Sequence, residues 1–371
     1  MTQRVIVRKQ ADYDYTSLRK NIFSIFECLT NGAFSAGQRV VVKPNLLSPA
    51  SEEKAMLTHP LVVKAVVEYL LEYALKITIS DSPAMGSFRK VLKEGGYLEA
   101  LEGLPVQFRE FKETRMVDIG KPFGEIELSK DAIEADHVIN LPKLKTHSQM
   151  LLTLGVKNLF GCVVGLSKPK WHYKVGVDRK RFAQLLYQIS KTIKPTITLI
   201  DGVLAMEGDG PGKSGTPRQL GVLIGGNSPV ATDIVVCRIL GIEPSRLLTN
   251  TVALEDGIEP DSVVLEGEFD VLRDFRFPNM GPIMFGPERI HGLLRRHLIE
   301  RPVVDDDLCR QCGECWRYCP ASALEKGKYA VRFDYEKCIR CYCCVEVCPH
   351  GALRVKEPLA GRALRKLTGL K

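Results

Sequence analysis

Eight of the twelve cysteines stand in two runs with the same internal spacing. Each run has the form Cys-x2-Cys-x2-Cys-x3-Cys-Pro, the first beginning at Cys309 and the second at Cys338. Clustering of this kind indicates metal coordination rather than a disulfide framework. In such a run the first three thiolates hold one [4Fe–4S] cluster, and the fourth ligates the neighbouring cluster. The predicted metal ligands are Cys309, Cys312, Cys315, Cys319, Cys338, Cys341, Cys344 and Cys348.

The same rule predicts which thiolates share a cluster. One cluster takes the first three cysteines of the first run together with Cys348, and the other takes the first three of the second run together with Cys319. A zinc site is the alternative, because four thiolates also suit Zn²⁺. Paired runs with a trailing Cys-Pro favour the clusters. Cys343 falls outside the spacing and is interpreted as a non-ligand. Low-potential clusters of this type favour reductive chemistry under anaerobic conditions.

A second set of polar residues follows the predicted strands of the N-terminal part. In open α/β sheets, ligands bind beyond the carboxyl ends of the strands, so these side chains are expected to converge on one cleft. We assign the candidate catalytic roles to Lys143, Lys145, His147, Asp201 and Glu207. We assign the candidate cofactor-binding roles to Lys43, Asn45, Asp81, Asn140, Lys157 and Asn158.

The residue types indicate what this cleft would bind. Lys43, Lys143, Lys145 and Lys157 could form a cationic pocket for a carboxylate or phosphate, the alternative being solvated surface lysines. His147 could act as a general acid, although a lone histidine is often structural.

Two carboxylates near glycines are candidate ion ligands. Asp201 and Glu207, with Asp209 close by, carry oxygen atoms that suit Mg²⁺ or Ca²⁺. The alternatives are that they shape a turn or neutralise neighbouring lysines. A divalent cation is therefore a candidate second cofactor.

The elements that must position these residues alternate between strands and helices. Pro60 stands just before an apolar helical pattern, where a first-turn proline is favourable. Alternation of this kind predicts an α/β domain with a mostly parallel sheet flanked by helices, followed by a small α+β domain around the cysteines. The predicted strands are Val5–Val7, Arg39–Lys43, Ile77–Ser80, His137–Leu141, Thr196–Ile200 and Gly221–Ile224. The predicted helices are Tyr15–Leu29, Leu61–Ala74, Arg181–Ile193 and Val230–Leu240.

Several long motifs resemble those of a known family. The motifs are VVKPNL at 41–46, DSP at 81–83, ADHVINLPKLKTH at 135–147, GVKNLFG at 155–161 and DGVLAMEGDGP at 201–211. They resemble the DUF362 domain proteins, many of which carry a C-terminal dicluster ferredoxin-like domain. The resemblance implies an iron–sulfur protein of unsettled activity, and it supplies no catalytic residues.

The predicted organisation has four parts. Residues 1–270 form the α/β domain, 271–301 a connector, 302–357 the dicluster domain, and 358–371 a basic amphipathic tail. We expect the tail to pack on its own protein in preference to a membrane surface.

Charge and hydropathy limit the partners. The net charge is +8, but no arginine-rich stripe or nucleic-acid motif accompanies it, so nucleic-acid binding is not expected. No apolar run of about 18 residues is present, so no membrane-spanning helix is expected. The N-terminus lacks the apolar stretch of a signal peptide, which leaves the cytoplasm as the expected location.

Two functions remain open from the sequence. The first is an iron–sulfur oxidoreductase that passes electrons, received from a redox partner protein, to an anionic substrate or cofactor at the rim of the α/β domain. The second is a non-catalytic electron-transfer or assembly protein whose α/β domain binds a partner. The dense polar motifs favour the first.

Overall fold

The computed structural model describes residues 2–30, 32–165, 167–175, 178–278, 280 and 300–360. Most of the predicted connector and most of the predicted tail lie outside these residues, so both remain predictions. Within the described residues, no helix is long and apolar enough to cross a bilayer.

Strands and helices alternate through the first two-thirds of the chain. The strands are β1 (Arg4–Lys9), β2 (Arg39–Pro44), β3 (Lys76–Ile79), β4 (Gln107–Phe108), β5 (Thr114–Asp118), β6 (Glu125–Ser129), β7 (His137–Leu141), β8 (Lys143–His147), β9 (Leu151–Thr153), β10 (Ile197–Gly208), β11 (Gly215–Gly226), β12 (Val264–Glu266), β13 (Arg301–Val304), β14 (Leu324–Lys326), β15 (Val331–Phe333) and β16 (Leu353–Lys356).

Most of the helices connect the strands of the large sheet. They are α1 (Tyr15–Thr30), α2 (Pro60–Leu71), α3 (Phe88–Glu94), α4 (Tyr97–Ala100), α5 (Lys130–Glu134), α6 (Gly155–Asn158), α7 (Ser167–Val175), α8 (Arg179–Ile193), α9 (Pro229–Ile239), α10 (Leu248–Glu255), α11 (Glu314–Arg317) and α12 (Cys343–Val347). Short 3₁₀ helices occupy Glu52–Lys54, Leu159–Cys162, Pro244–Arg246 and Pro260–Ser262.

The large sheet is mixed but mostly parallel. Its order is β12-β1-β11-β10-β7-β2-β3-β4, with β8 paired to β10 and β9 paired to β8. The stretch from β10 through β7, β2 and β3 to β4 is parallel throughout. Parallel strands bring their carboxyl ends to one edge, and the candidate residues follow those ends. The predicted α/β class is confirmed.

Apolar side chains cover both faces of this sheet. Alternate residues of β2 enter opposite cores, with Val41 in one cluster and Val40 and Val42 in the other. A strand buried on both sides is a near-continuous apolar run, as β2 is. The sheet is therefore a rigid support for the residues at its edge.

The C-terminal region, residues 300–356, is built from two short antiparallel pairs and two short helices. Strand β13 pairs with β16, and β14 pairs with β15. A separate apolar cluster holds this region together and includes Ala323, Leu324 and Leu353. This small strand-and-helix unit confirms the predicted ferredoxin-like region.

One interpretation of the sequence needs correction. The glycines and acids from Asp201 to Gly208 indicate a loop, but this segment continues β10 as a strand that pairs with β11. Likewise, Lys143–His147 is not a loop after β7 but the strand β8. Neither segment shows the alternation of apolar and polar residues that is typical of a half-buried strand, because the polar side chains of both segments are buried as well.

Candidate functional site

A cavity of about 90 Å³ lies between the carboxyl-end edge of the sheet and the C-terminal region. This rim cavity is lined by charged, polar and apolar side chains. The helix α12 contributes Cys343, Glu346 and Val347 to its wall. The predicted site residues that line it are Lys43, Asn45, Asp81, Lys145, His147, Lys157 and Asn158.

A buried ion pair forms one wall of the rim cavity. Lys43 Nζ lies 3.0 Å from Asp81 Oδ1, and both side chains are almost fully buried. The other carboxylate oxygen accepts the backbone N–H of Leu46 at 2.9 Å. A Cβ at Gly161 would collide with this pair, so the glycine of the GVKNLFG motif is required by the close approach of its backbone.

Two further lysines bring positive charge that is less fully neutralised. Lys145 Nζ donates to Asn45 Oδ1 at 2.8 Å and to the Met56 carbonyl at 2.6 Å. Burial and the nearby Lys157 lower the pKa of Lys145 to about 7. Within the described residues, the Lys157 ammonium makes no hydrogen bond, and burial lowers its pKa. The Lys157 ammonium therefore retains donors for a ligand.

Amides support the lysines from behind. Asn45 Nδ2 donates to Asn158 Oδ1, and Asn158 Nδ2 donates to Asn140 Oδ1, each at 2.8 Å. Asn140 in turn donates to the Gly155 carbonyl at 2.9 Å. Asn140 is buried and does not line the rim cavity, so it positions Asn158 rather than contacting a ligand.

His147 joins the sheet edge to the C-terminal region. Its Nε2 lies 2.9 Å from Glu346 Oε1. Its Nδ1 accepts the backbone N–H groups of Gln149 and Met150 at 3.1 and 3.2 Å. Two donors at Nδ1 require that atom to be unprotonated, so the ring hydrogen sits on Nε2. Burial and Lys157 lower the pKa of His147 to about 4, which suits a hydrogen-bond donor better than the predicted general acid.

Glu346 remains charged in this setting. Burial opposes its ionisation, but His147, Lys157 and His172 outweigh burial and bring its pKa to about 2. With the Asp81 carboxylate it supplies two negative charges against the four lysines of the cavity. The rim cavity is therefore cationic whenever those lysines are protonated.

Other lining residues escaped the sequence analysis. Lys168, on α7, donates to the Ser82 carbonyl, and burial lowers its pKa to about 8. His172 Nδ1 and Thr153 Oγ1 are buried and have no hydrogen-bond partner within the described residues. Tyr318 comes from the C-terminal region. The sequence of this segment, SKPKWH at 167–172, does not indicate that it lies at the sheet edge.

Lys143 and Asp201 belong to a different buried network. Lys143 Nζ donates to Asp201 Oδ2 at 2.7 Å and to the Tyr13 hydroxyl at 2.8 Å. Asp201 also accepts the Tyr13 hydroxyl at 2.8 Å and the His59 backbone N–H at 2.9 Å. Neither side chain lines the rim cavity. The predicted convergence therefore does not extend to this pair, because its charges are satisfied inside the sheet.

Glu207 also lies away from the rim cavity. Its carboxylate accepts the Arg276 side chain at 2.7 Å and the Arg276 backbone N–H at 3.1 Å. Glu207 and Asp201 lie six residues apart on β10 and accept from different cations, Arg276 and Lys143. A divalent cation shared by these two carboxylates stays a prediction.

The cysteine runs fold into matching loops. Gln311 and Gly313 of the first run have positive φ, and so do Arg340 and Tyr342 at the equivalent positions of the second. Backbone N–H groups donate to the fourth sulfur of each run: Ala323 to Cys319 Sγ at 3.2 Å and Ala352 to Cys348 Sγ at 3.3 Å. Hydrogen bonds of this type tune iron–sulfur centres.

The neighbours of the thiols fit the crossed assignment. Burial raises the pKa of Cys315 to about 12, and its thiol neighbours are Cys348, Cys312 and Cys309. Burial also raises the pKa of Cys319, whose thiol neighbours are Cys341 and Cys338. Each fourth cysteine therefore lies beside thiols of the other run, which is the arrangement that the predicted crossed ligation would use.

The lowered lysine pKa values predict how anion binding depends on pH. As pH falls from about 9 to about 6, Lys168 and then Lys145 gain protons, so the rim cavity becomes more positive and its affinity for sulfate should rise roughly tenfold or more. Sulfate stays a dianion over this range, so isothermal titration calorimetry at several pH values isolates the protein's protonation. Affinity that is flat or that falls toward low pH would contradict the prediction.

Comparison with known proteins agrees with this architecture. The family model described as Domain of unknown function (DUF362) matches residues 40–238, and a 4Fe-4S dicluster domain matches residues 301–349. A thylakoid-associated protein of Synechocystis sp. is 37% identical over 313 residues, which cover 82% of this chain and 97% of that protein.

Other relatives match only a short part of the chain. A ferredoxin of Pyrobaculum islandicum is 46% identical over 57 residues, covering 15% of this chain and 51% of that protein. A component of an ion-translocating oxidoreductase complex of Methanosarcina acetivorans is 34% identical over 71 residues, covering 19% of this chain and 27% of that protein. The C-terminal region is thus an iron–sulfur electron-transfer domain. The chain belongs to the DUF362 family and joins the DUF362 domain to a 4Fe–4S dicluster domain.

Proposed function

We propose that this protein is an iron–sulfur oxidoreductase that reduces an anionic small molecule bound in the rim cavity. The observation that carries the proposal is the composition of the cavity wall. Lysines at the edge of the sheet form one side, and the helix α12, within the second cysteine run, forms the other. An anion bound there would lie next to the residues that hold an electron carrier.

The lysines would draw the anion in and offset its loss of hydration. Lys157 would make the most direct contact, because its ammonium has no hydrogen-bond partner within the described residues. Lys145 and Lys168 add positive charge at about neutral pH. In a site shielded from water, such charges act more strongly than they would at the surface. His172 and Thr153 could give neutral hydrogen bonds to the head group.

The apolar residues of the cavity wall indicate which kind of ligand body would fit beside the charged group. Leu46, Phe160, Pro169 and Val347 present apolar surface between the polar groups. A carboxylate or phosphate attached to a compact apolar body fits this combination. A free inorganic anion would leave the apolar part of the cavity without a contact.

The chemistry divides between the clusters and the side chains. When bound, the two [4Fe–4S] clusters would supply electrons singly and at low potential. Lys145 could give a proton to the ligand as it is reduced, because a pKa of about 7 is suited to proton transfer near neutral pH. The close approach of His147 Nε2 to Glu346 Oε1, at 2.9 Å, would help to hold α12 against the sheet.

A redox partner protein would provide the electrons. The Methanosarcina relative is part of an oxidoreductase complex by its name, which supports a protein donor for this chain too. The donor would act on the C-terminal region, because that is where the predicted cluster ligands lie.

Replacing Lys157 with glutamine tests the cavity. Loss of a buried charged donor should weaken sulfate binding about 10- to 100-fold, as hydrogen bonds to charged groups are worth about 1.5–3 kcal/mol. The matched control is Lys20→Gln, a lysine on the surface helix α1 outside the cavity, which should bind sulfate like the parent protein. The measurement is calorimetry on the anaerobically purified full chain.

A second measurement tests whether the protein reduces a ligand bound in the rim cavity. Photochemically reduced protein is mixed with small-molecule fractions of a cell extract, and reoxidation is followed by the loss of the EPR signal. We expect a fraction rich in organic acids or phosphates to reoxidise the parent protein but not the Lys157→Gln variant. Sulfate binding without any such fraction would instead favour a binding and electron-transfer protein that does no chemistry in the cavity.

A further inference from the structure

The two cysteine runs have the same local fold but different surroundings. In the second run, Cys338, Cys341 and Cys344 are all buried, with exposed fractions of 6–7%. The helix that follows Tyr342 packs against the rim cavity, and the Gly212 backbone lies against Glu346 and Val345. The second run is thus enclosed between the two parts of the chain.

Part of the first run is accessible to solvent, although Cys315 and Cys348 are buried with 9% exposure each. Cys312 is exposed and Cys309 is half-buried. Leu308, one residue before the run, exposes 43% of its surface. His350, close to the fourth cysteine of the second run, is exposed too, and that cysteine, Cys348, is predicted to ligate the first run's cluster. A protein approaching from solvent would therefore reach the first run before the second.

Cys343 gives the second run a feature that the first lacks. The equivalent position of the first run is Glu314, so a carboxylate there is replaced by a buried thiol in the second run. Cys343 stands two residues after Cys341 and begins the helix α12. It also lines the rim cavity, near the ammonium of Lys157. Cys343 therefore lines the ligand site and lies within the second run, between the predicted ligands Cys341 and Cys344.

We propose that the two cysteine runs are polarised: the first faces solvent and receives electrons from a carrier protein, whereas the second faces the ligand cavity through the Cys343 thiol. Cys343 is a positioning residue in this scheme, because it acts through Cys341. A hydrogen bond to a ligating sulfur stabilises the reduced, more negative state of an iron–sulfur centre. The cavity half of the inference rests on the proposed anion site, and the solvent half does not.

The first experiment measures the reduction potential of each centre by EPR redox titration of the anaerobic full chain. Cys343→Ala should make the second-run centre harder to reduce by roughly tenfold in its equilibrium constant, which is about 59 mV for one electron. Cys343→Ser keeps a donor and should restore most of the shift. Glu314→Ala, at the equivalent position of the first run, is the matched control and should leave the second-run centre unchanged.

The second experiment tests which centre solvent can reach. A soluble dysprosium chelate should speed the electron-spin relaxation of the first-run centre and leave the second-run centre nearly unaffected. The Cys319→Ala variant, which is expected to lose the second-run centre, assigns the two signals. Sulfate, used as the anion probe, should shift the potential of the second-run centre only.

The role of Cys343, the polarity of the two runs and the anion site would each be contradicted by a different result. Equal shifts in the Cys343→Ala and Cys343→Ser variants, or a shift confined to the first-run centre, would overturn the role of Cys343. Equal relaxation of both centres by the chelate would overturn the polarity. If sulfate shifts neither centre while the serine rescue and the chelate result hold, the proposed anion site fails and the polarity stands.

Discussion

Replacing Asp201 with asparagine is expected to destabilise the fold by about 3–5 kcal/mol, the cost of breaking a buried ion pair by removing one partner. Lys143 and Asp201 have exposed side-chain fractions of 1% and 0%. Asparagine keeps one oxygen, which in the Oδ2 position can accept from the His59 backbone and from Lys143, while its amide group replaces the Oδ1 that accepts from Tyr13. The change therefore removes the negative charge and one acceptor. The Lys143 ammonium would then lie in the sheet without a counter-ion.

The physical reason is that burial already disfavours the charged form of Lys143. Burial lowers the pKa of Lys143, and Asp201 is the main opposing influence. Without the carboxylate, Lys143 would have to lose its proton or draw in water, and either outcome weakens the contact between β8 and β10. These strands pair at this position, with Asp201 opposite Lys143. The damage should therefore spread to the edge that carries Lys145 and His147.

Urea unfolding of the anaerobic full chain, followed by far-UV circular dichroism, measures the effect. The double variant Lys143→Met with Asp201→Asn should recover much of the loss, because no unpaired charge remains buried. Asp256→Asn breaks the exposed pair with Lys191 and serves as the control, with little change expected. A stability loss that is equal in the single and double variants would show that charge is not the cause.

Cys319→Ala is expected to remove the cluster of the second run, although Cys319 stands in the first. Its thiol neighbours are Cys341 and Cys338, and its sulfur accepts the Ala323 backbone N–H at 3.2 Å. A three-thiolate site holds its cluster poorly, so the iron content should fall from about eight to about four atoms per chain.

Iron and sulfide analysis together with EPR checks this result. The remaining centre should no longer interact magnetically with a neighbour, and it should be the one that the dysprosium chelate relaxes. Cys343→Ala is the matched control, because it removes a buried thiol from the same region and should retain all the iron. Loss of the solvent-facing centre instead would mean that the ligation is not crossed.

The sequence alone predicted much of the fold and part of the site. Strands such as β2 and β7 could be read from apolar runs, because both faces of the sheet are covered by apolar side chains. The cysteine ligands could be read from spacing, because a cluster-binding loop is local and its geometry recurs in the second run. The motif lysines at 43, 145 and 157 were predicted to meet because parallel strands share an edge.

Tertiary structure decided which of those charges remain available. Lys143 and Lys145 are two residues apart on one strand, yet the first is paired with Asp201 in the sheet and the second faces the rim cavity. Their sequence context is nearly the same, so only the position of distant partners separates them. The partner of His147 is Glu346, from the far end of the chain. The sequence determined the cluster ligands and the sheet because those depend on local spacing and periodicity, whereas the cavity depends on long-range contacts that close it with a second part of the chain.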